Sequence, residues 1–406
     1  MRIKSFQSIR PPAELAREVA SLPYDVGELE DARALASGNP RSFLHVERPE
    51  VDLPDGFDPA SGIDHESASK NLQLFLREGW LKREETDCLY LYRIILGDHA
   101  QTGIVACCHI EDYEHNIIRK HEKTKKPVED ARTRHVQVTG AHTGPIFLLF
   151  RDDPGIASLM EQVASGAPLL DFTAVDNIRH IVWRIEDDRA LVDAFAAVPL
   201  AYVADGHHRT AAAARAGIER RAANPAHRGD EEYNWFPAVL FPASHLKVIA
   251  YNRTVKDLNG LSHDEFLARA REVFDVHPDG PEAPPAPGSI SMYLGGSWYR
   301  LAWTPDPEAD PVSALDVSVL QSRLLAPVLG IDDPRTNSRI EYTGGFDSVE
   351  RIKKKVDNGR AAVAFSVHAT TVDQLMAIAD ADQIMPPKST WFEPKLRSGL
   401  FVHALD

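Results

Sequence analysis

Residues 205–209 read Asp-Gly-His-His-Arg and place an acid, two imidazoles and a guanidinium around one glycine. An apolar run precedes this stretch, and an alanine-rich run follows it as far as Gly217. The pattern predicts a strand, a tight turn and a helix that ends at Gly217. A helix N-terminus attracts anions, and Arg209 adds a planar cation suited to phosphate or carboxylate. Since none of these polar residues helps a core, we predict a ligand site at the turn.

A second polar cluster, residues 119–136, reads RKHEKTKKPVEDARTRHV and is the densest cationic run in an acidic chain. A basic island on an acidic background concentrates anionic ligands. His121 and Glu122 set a base beside a carboxylate, which suits proton transfer or metal binding. We therefore expect this cluster to line the same pocket as the 205–209 turn.

The arginines of this cluster and the end of the chain contribute further candidate cations. Arg132 and Arg134 alternate, so on an extended segment both face one site, whereas in a helix His135 joins them. Residues 385–403, MPPKSTWFEPKLRSGLFVH, contain Trp and Phe, which disordered tails rarely carry. We expect this tail to fold back over the body and deliver Lys388 to the site.

These residues divide into two predicted roles. The candidate catalytic residues are Asp205, His207, His208, Glu122 and His121. The candidate phosphate-binding residues are Gly206, Arg209, Thr210, Arg132, Arg134 and Lys388. Asp205 is also the candidate metal ligand.

Composition limits the classes of binding partner and the cellular locations that are expected. The 406-residue chain has a formal net charge of -15, which argues against nucleic acid and anionic membranes as main partners. No apolar run approaches the roughly 20 residues of a membrane span, and the N-terminus lacks a signal-peptide core. The three cysteines show no CxxC spacing, so reduced buried thiols are expected. These features predict a cytoplasmic protein that binds a small anionic metabolite.

The elements that position these residues predict an α+β fold. It has mixed sheets, antiparallel hairpins and a central crossover unit in which a strand leads through ADGHHR into a helix. The Pro-rich segment 278–288 is the clearest boundary. The predicted lobes are an N-terminal lobe at 1–150, a central lobe at 151–277 and a C-terminal lobe at 289–406. Within them, Ser42–Val46 is predicted as a strand, and Pro23-Tyr24-Asp25 as a rigid turn.

Several stretches together resemble a known family. ADGHHR, NPRSFLHV, IIRKHEKT, RTRHV, EEYNWFPAVLFP and the tail are similar, over essentially the whole chain, to the bacterial family called domain of unknown function 1015. Over about twenty residues, the strand-turn-helix around ADGHHR also resembles the phosphate-binding turn of the ParB/sulfiredoxin-like superfamily. That superfamily includes nucleotide-dependent free-serine kinases. His207 stands about where sulfiredoxins carry a reactive cysteine, so their chemistry is not implied.

Residues and resemblance together favour a phosphoryl-transfer enzyme that acts on a small phosphorylated or hydroxyl metabolite. The resemblance favours serine or phosphoserine, with Mg²⁺ and ATP or ADP as cofactors, and leaves the kinase and phosphatase directions open. The alternative is a non-catalytic regulatory protein that binds a phosphometabolite or nucleotide. A third reading, a metal-dependent hydrolase using His207, His208 and His121, is disfavoured because adjacent histidines rarely bind one ion.

Overall fold

The computed structural model describes residues 1–54 and 65–406, and its contacts divide the chain into two compact units. The first unit comprises Met1–Leu246 together with Pro394–Asp406. The second unit is Lys247–Glu393. The chain therefore leaves the first unit, builds the second, and returns to the first for its last residues.

These two units differ from the three predicted lobes. Segments 1–150 and 151–277 both contribute strands to one sheet, and its shared hydrogen bonds unite them. The Pro-rich segment 278–288 lies within the second unit, where it connects two strands of a single sheet. Proline content thus marks a long connection here rather than a boundary between units.

The first unit combines one large mixed sheet with helices. Its strands are β1 Ile3–Lys4, β2 Ile9–Arg10, β3 Lys82–Arg83, β4 Leu89–Leu96, β5 His99–His109, β6 Ile118–Arg119, β7 Ala141–His142, β8 Ile146–Phe150, β9 Leu170–Thr173, β10 Arg179–Ile185, β11 Ala201–Asp205 and β12 Trp235–Pro242. Its helices are α1 Ala16–Val19, α2 Leu29–Ala36, α3 Leu44–Glu47, α4 His65–Arg77, α5 Ile110–Glu114, α6 Lys126–Thr139, α7 Pro154–Ala164, α8 Arg189–Ala196 and α9 His207–Ala223.

The second unit is built on an antiparallel sheet. Its strands are β13 Lys247–Ile249, β14 Asn252–Val255, β15 Asp275–Pro278, β16 Ser289–Leu294, β17 Ser297–Ala302, β18 Ile340–Thr343, β19 Val363–Val367 and β20 Trp391–Glu393, and a last strand, β21 His403–Ala404, returns to the first unit. Its helices are α10 His263–Val273, α11 Asp316–Leu320, α12 Ser348–Asp357 and α13 Val372–Asp380, with a π-helical segment at Gln321–Leu325.

The large sheet runs in the order β6-β11-β8-β12-β5-β4-β10-β9, and β1 pairs with β5. The pairs β6–β11 and β8–β12 are parallel, and the remaining pairs are antiparallel. Apolar side chains of its strands and of the helices packed on it form the main core. The α+β class with mixed sheets and antiparallel hairpins is confirmed, and the ParB/sulfiredoxin-like label stays a prediction.

Two hairpins and one helix start show where local sequence determined structure. The β4–β5 hairpin turns at Gly97-Asp98, and the β16–β17 hairpin turns at two glycines with positive φ, as tight hairpins prefer. Helix α10 begins with a capping box between Ser262 and Glu265.

Two predicted elements are corrected. The segment 42–46 contributes the short helix α3 rather than a strand, and its Phe43, Leu44 and Val46 are buried. Helix α9 does not end at Gly217 but continues to Ala223. A Cβ at residue 217 would lie 2.4 Å from the carbonyl oxygen of Tyr233. The glycine therefore permits a close packing contact and does not cap the helix.

Candidate functional site

The candidate site lies where two parallel strands of the large sheet end. Strands β6 and β11 are parallel neighbours, with Ala201 opposite Ile118. His121 follows β6 by two residues, and Gly206 directly follows β11. Parallel strands end at the same sheet edge, which is where α/β sheets commonly bind ligands. The topology thus brings the two polar clusters of the sequence together.

Gly206 shapes the turn between β11 and α9. Its φ of +88° lies in the left-handed region, which favours glycine. A Cβ at this position would lie 3.0 Å from Nε of Arg209. The absence of a side chain therefore lets the guanidinium of Arg209 pack against the turn. Nη1 of Arg209 donates a hydrogen bond to the Pro145 carbonyl at 2.7 Å, which fixes the cation in place.

The carboxylate of Asp205 lies between two cations. Its Oδ2 is 3.2 Å from Nζ of Lys395 and 3.8 Å from Nη2 of Arg209. Burial alone would raise the pKa of Asp205, but Lys395 and then Arg209 hold that pKa well below its ordinary value. The Asp205 side chain is 26% exposed, against 8% for Lys395. Asp205 is thus ionised at neutral pH and is not a general acid.

Two buried histidines stand edge to face beside this carboxylate. The rings of His121 and His207 have centroids 4.4 Å apart and planes at 88°. Burial lowers the pKa of His121 to about 4 and takes the pKa of His207 well below its ordinary value. In the described part of the chain, Nε2 of His207 has no hydrogen-bond partner. At neutral pH the pair is therefore uncharged, and the same burial makes each ring a weak base.

Other predicted residues of the turn hold its shape. His208 accepts a hydrogen bond at Nε2 from the backbone N–H of Lys125, at 2.9 Å. Thr210 donates its hydroxyl proton to the Gly206 carbonyl at 3.0 Å. Glu122 follows His121 in the loop after β6 and is half-buried. His208 and Thr210 therefore tie the loop and the helix to the turn.

The two arginines of the second cluster separate. Residues 131–135 belong to helix α6, not to an extended segment, so Arg132 and Arg134 lie on different faces. Arg132 is buried and donates to Oε1 of Glu47 at 2.9 Å, whereas Arg134 is exposed. The expectation that both face one site is therefore corrected. The segment is helical, but His135 shares the buried face with Arg132 alone and does not join both arginines.

Arg132 belongs to a buried group that we call the Glu47 cluster, which comprises Tyr24, Glu47, Arg132, His135 and Thr143. The Arg132 guanidinium lies 4.1 Å from the Tyr24 ring centroid. Thr143 donates its hydroxyl proton to Oε2 of Glu47 and lies 3.4 Å from Nε2 of His135. Each carboxylate oxygen of Glu47 therefore accepts a hydrogen bond from a buried donor of the cluster.

A small cavity connects this cluster to the turn. Arg132, Thr143 and Arg209 line it, and its volume is about 20 Å³. A cavity of that size has room for about one water molecule. The Glu47 cluster and Arg209 are thus near neighbours, but the space between them is too small for a metabolite.

The predicted cation Lys388 is part of the second unit. Its carbonyl accepts a hydrogen bond from Arg253 at 3.2 Å, and its Nζ lies 5.5 Å from the Tyr251 ring centroid. The tail does return to the first unit, but from Pro394 onward, and the lysine that meets Asp205 is Lys395. In the sequence, Lys395 and Lys388 stand in the same Pro-bounded tail, so the sequence alone does not distinguish the two lysines.

The described residues do not form a resident Mg²⁺ site around the turn. In residues 1–54 and 65–406, no group of three or more His, Cys, Asp or Glu side chains is arranged to hold a metal ion. Asp205, the predicted ligand, instead has a lysine amine 3.2 Å from its carboxylate. The donor set around it is cationic and does not fit the metal.

The helices carry no sign of a membrane span. Within the described ranges 1–54 and 65–406, none combines the length and the apolar character that crossing a bilayer requires.

Comparison with solved structures finds several distant similarities. A free serine kinase in complex with AMP is 14% identical, with a TM-score of 0.38, and the match covers 71% of this chain and 86% of that one. A conserved hypothetical protein from Pyrococcus furiosus is 14% identical, with a TM-score of 0.39 and coverage of 74% and 95%. C-terminally truncated SbnI from Staphylococcus aureus is 10% identical, with a TM-score of 0.41 and coverage of 74% and 87%.

Sequence comparison identifies the family. No curated protein matches the chain significantly. A family model described as protein of unknown function (DUF1015) matches residues 3–318, which include the 205–209 turn and the 119–136 cluster but not Lys395. The resemblance of these stretches to that family is confirmed, and the chain belongs to the DUF1015 family of proteins of unknown function.

Proposed function

We propose that this protein transfers a phosphoryl group to or from a small hydroxyl metabolite at the 205–209 turn. The observation that carries the proposal is the convergence of three chemistries at one sheet edge. A site for an anion, formed by Arg209 and the start of α9, adjoins the ionised carboxylate of Asp205 and two neutral imidazoles. Phosphoryl transfer needs positioned cations and a group that orients or deprotonates the nucleophile.

The side chains divide the reaction between them. The N-terminus of the 17-residue helix α9 and the guanidinium of Arg209 hold phosphoryl oxygens. In the kinase direction, the substrate oxygen bonds to phosphorus, the bond from phosphorus to the nucleotide oxygen breaks, and the hydroxyl proton passes to His207. In the phosphatase direction, the oxygen of a water molecule bonds to phosphorus, the bond from phosphorus to the metabolite oxygen breaks, and a water proton passes to His207. The carboxylate of Asp205 favours the imidazolium that forms when His207 takes the proton, and it suits orientation of the hydroxyl.

The substrate class follows from the resemblance of the turn to those of nucleotide-dependent free-serine kinases. Serine or phosphoserine is the proposed metabolite, and ATP or ADP the proposed donor. AMP and ADP are practical first probes of binding, since they are the nucleotides bound in the solved free serine kinase structures.

Phosphorus NMR tests this proposal directly. The full chain is incubated with Mg²⁺, ATP or ADP and L-serine, and in a second tube with O-phospho-L-serine alone. We expect a new phosphoserine signal, or loss of the added one, that disappears in His207→Asn. The matched control is His115→Asn, an exposed histidine of the first unit, which keeps the activity.

The same experiment separates catalysis from binding. If neither tube shows turnover, the transfer proposal is wrong. Retained binding of AMP or ADP would then favour the non-catalytic regulatory protein that keeps the anion site. Turnover that survives in His207→Asn would instead move the proton acceptor to another residue of the site.

A further inference from the structure

Lys395 is anchored on both sides along the chain. Gln101, fully buried in β5, donates from Nε2 to the carbonyl of Pro394 at 3.0 Å. Two residues beyond Lys395, the buried guanidinium of Arg397 donates from Nε to Nε2 of His180 at 3.2 Å and from Nη2 to Asp176. These anchors, which we call the tail clamp, fix the backbone on either side of the lysine.

The clamp reaches interior strands of the large sheet. Because Nε2 of His180 accepts a hydrogen bond from Arg397, Nδ1 carries the ring proton and donates a hydrogen bond to the Tyr92 hydroxyl at 2.7 Å. Tyr92 is fully buried in β4, next to β10. The position of the tail is thus tied to two neighbouring interior strands, β4 and β10.

Asp205 is held less tightly than the amine it meets. Its side chain is the more exposed of the two, and its second cation, Arg209, lies at 3.8 Å, beyond hydrogen-bond distance. A carboxylate at a strand end can rotate away by a side-chain torsion, whereas the lysine side chain is only 8% exposed and its backbone is clamped on either side. An anion that enters the site would therefore compete with the Asp205 carboxylate for this amine.

We propose that Lys395 is an anion-binding residue of the site, and that a phosphoryl oxyanion of the substrate takes its amine in exchange for the Asp205 carboxylate. Asp205 then acts as a built-in competitor for the anion site. This inference rests on the proposed function, because it assigns a further residue to the same site. It also makes Gln101 and Arg397 positioning residues that act through Lys395.

The exchange predicts that removing the Asp205 charge raises the affinity for an anion, and other roles of Asp205 do not predict that direction. Removing the competing charge with Asp205→Asn strengthens the binding of an anion, whereas loss of a metal ligand or of a hydrogen-bonding partner weakens it. We expect inorganic phosphate to bind Asp205→Asn about tenfold more tightly and Lys395→Met about tenfold more weakly than the native chain, each a change of ~1.4 kcal/mol. Titration calorimetry on the full chain at pH 7 measures both. Lys82→Met, on an exposed strand of the same unit, is the matched control.

A double-mutant cycle tests the clamp. Arg397→Met should weaken phosphate binding. It should also reduce the gain in phosphate affinity that Asp205→Asn produces, because a displaced Lys395 amine no longer contacts either the carboxylate or the phosphate. A merely structural role for Arg397 would lower the unfolding midpoint and leave that gain intact. Arg179→Met, an exposed arginine next to His180, provides the reference.

Three results would overturn the inference. Phosphate binding that is unchanged or weaker in Asp205→Asn would contradict the exchange while the proposed function stands. Unchanged binding in a folded Lys395→Met would do the same. Absence of phosphate binding in every chain would remove the anion site and the proposed function with it. Asp205→Asn is nearly isosteric, so it decides the matter even if Lys395→Met does not fold.

Discussion

Two acids of the first unit, Glu47 and Asp205, each meet an arginine, but they differ in how completely they are satisfied. Glu47 is fully buried and takes donors from Arg132 and Thr143. Asp205 is partly exposed, with one hydrogen-bonded lysine and an arginine at 3.8 Å. Both carboxylate oxygens of Glu47 already hold a buried donor, whereas a partly exposed acid at a strand end can exchange its partner. The comparison distinguishes the structural Glu47 cluster from the candidate site around Asp205, although Arg132 and Arg209 line the same small cavity.

The largest expected effect is a loss of stability when the Glu47 cluster is disrupted. Glu47→Ala leaves the Arg132 guanidinium buried without its carboxylate and should lower the free energy of unfolding by about 3–5 kcal/mol. Urea denaturation followed by circular dichroism measures the loss. Asp171→Ala, which removes the partner of exposed Arg179, should leave the midpoint nearly unchanged. A small effect of Glu47→Ala would mean that the cluster is not what holds α3 to α6.

An intermediate effect concerns the neutral histidines of the site. The pKa of His121 is about 4 in the fold, below its ordinary value of 6.5, because the ring is buried. Between those pH values the unfolded chain binds a proton that the folded chain does not, so stability falls as pH falls. His121→Gln should reduce this dependence by up to ~1.4 kcal/mol per pH unit. Urea denaturation at pH 4.5, 5.5 and 6.5 gives the slope, with His115→Gln as reference. An unchanged slope in His121→Gln would mean that His121 has the same pKa in the folded and unfolded chains.

The smallest expected effect sharpens the distinction within helix α6. Arg134→Ala removes an exposed cation and should change phosphate affinity less than about twofold and stability by less than ~0.5 kcal/mol. Arg132→Ala, on the buried face of the same helix, should be strongly destabilising. Calorimetry with inorganic phosphate tests the first statement. A large loss of affinity in Arg134→Ala would restore that residue to the binding set.

The sequence predicted well what local chemistry decides. The DGHHR stretch does form the predicted strand, turn and helix, and its glycine adopts a left-handed conformation. The contact between His121 and His207 was expected from residue type alone. Its physical cause is the parallel pairing of β6 with β11, because the two histidines follow these strands.

What the sequence could not supply depends on packing between distant segments. Gly217 looked like a helix end because glycine often caps, but the carbonyl that demands it belongs to Tyr233. Arg132 and Arg134 looked equivalent until helix α6 placed them on different faces. Lys395, and not Lys388, meets Asp205 because the chain re-enters the first unit at Pro394. No residue near either lysine identifies that point in the sequence.

The return of the tail also has a consequence for the order in which the protein is made. Asp205 precedes its lysine partner by 190 residues, and the entire second unit is synthesised between them. A nascent chain carries the carboxylate, the turn and the histidines long before it carries the amine. The amine joins the site only after Lys395 has left the ribosome, so a chain terminated before that residue displays the turn without it.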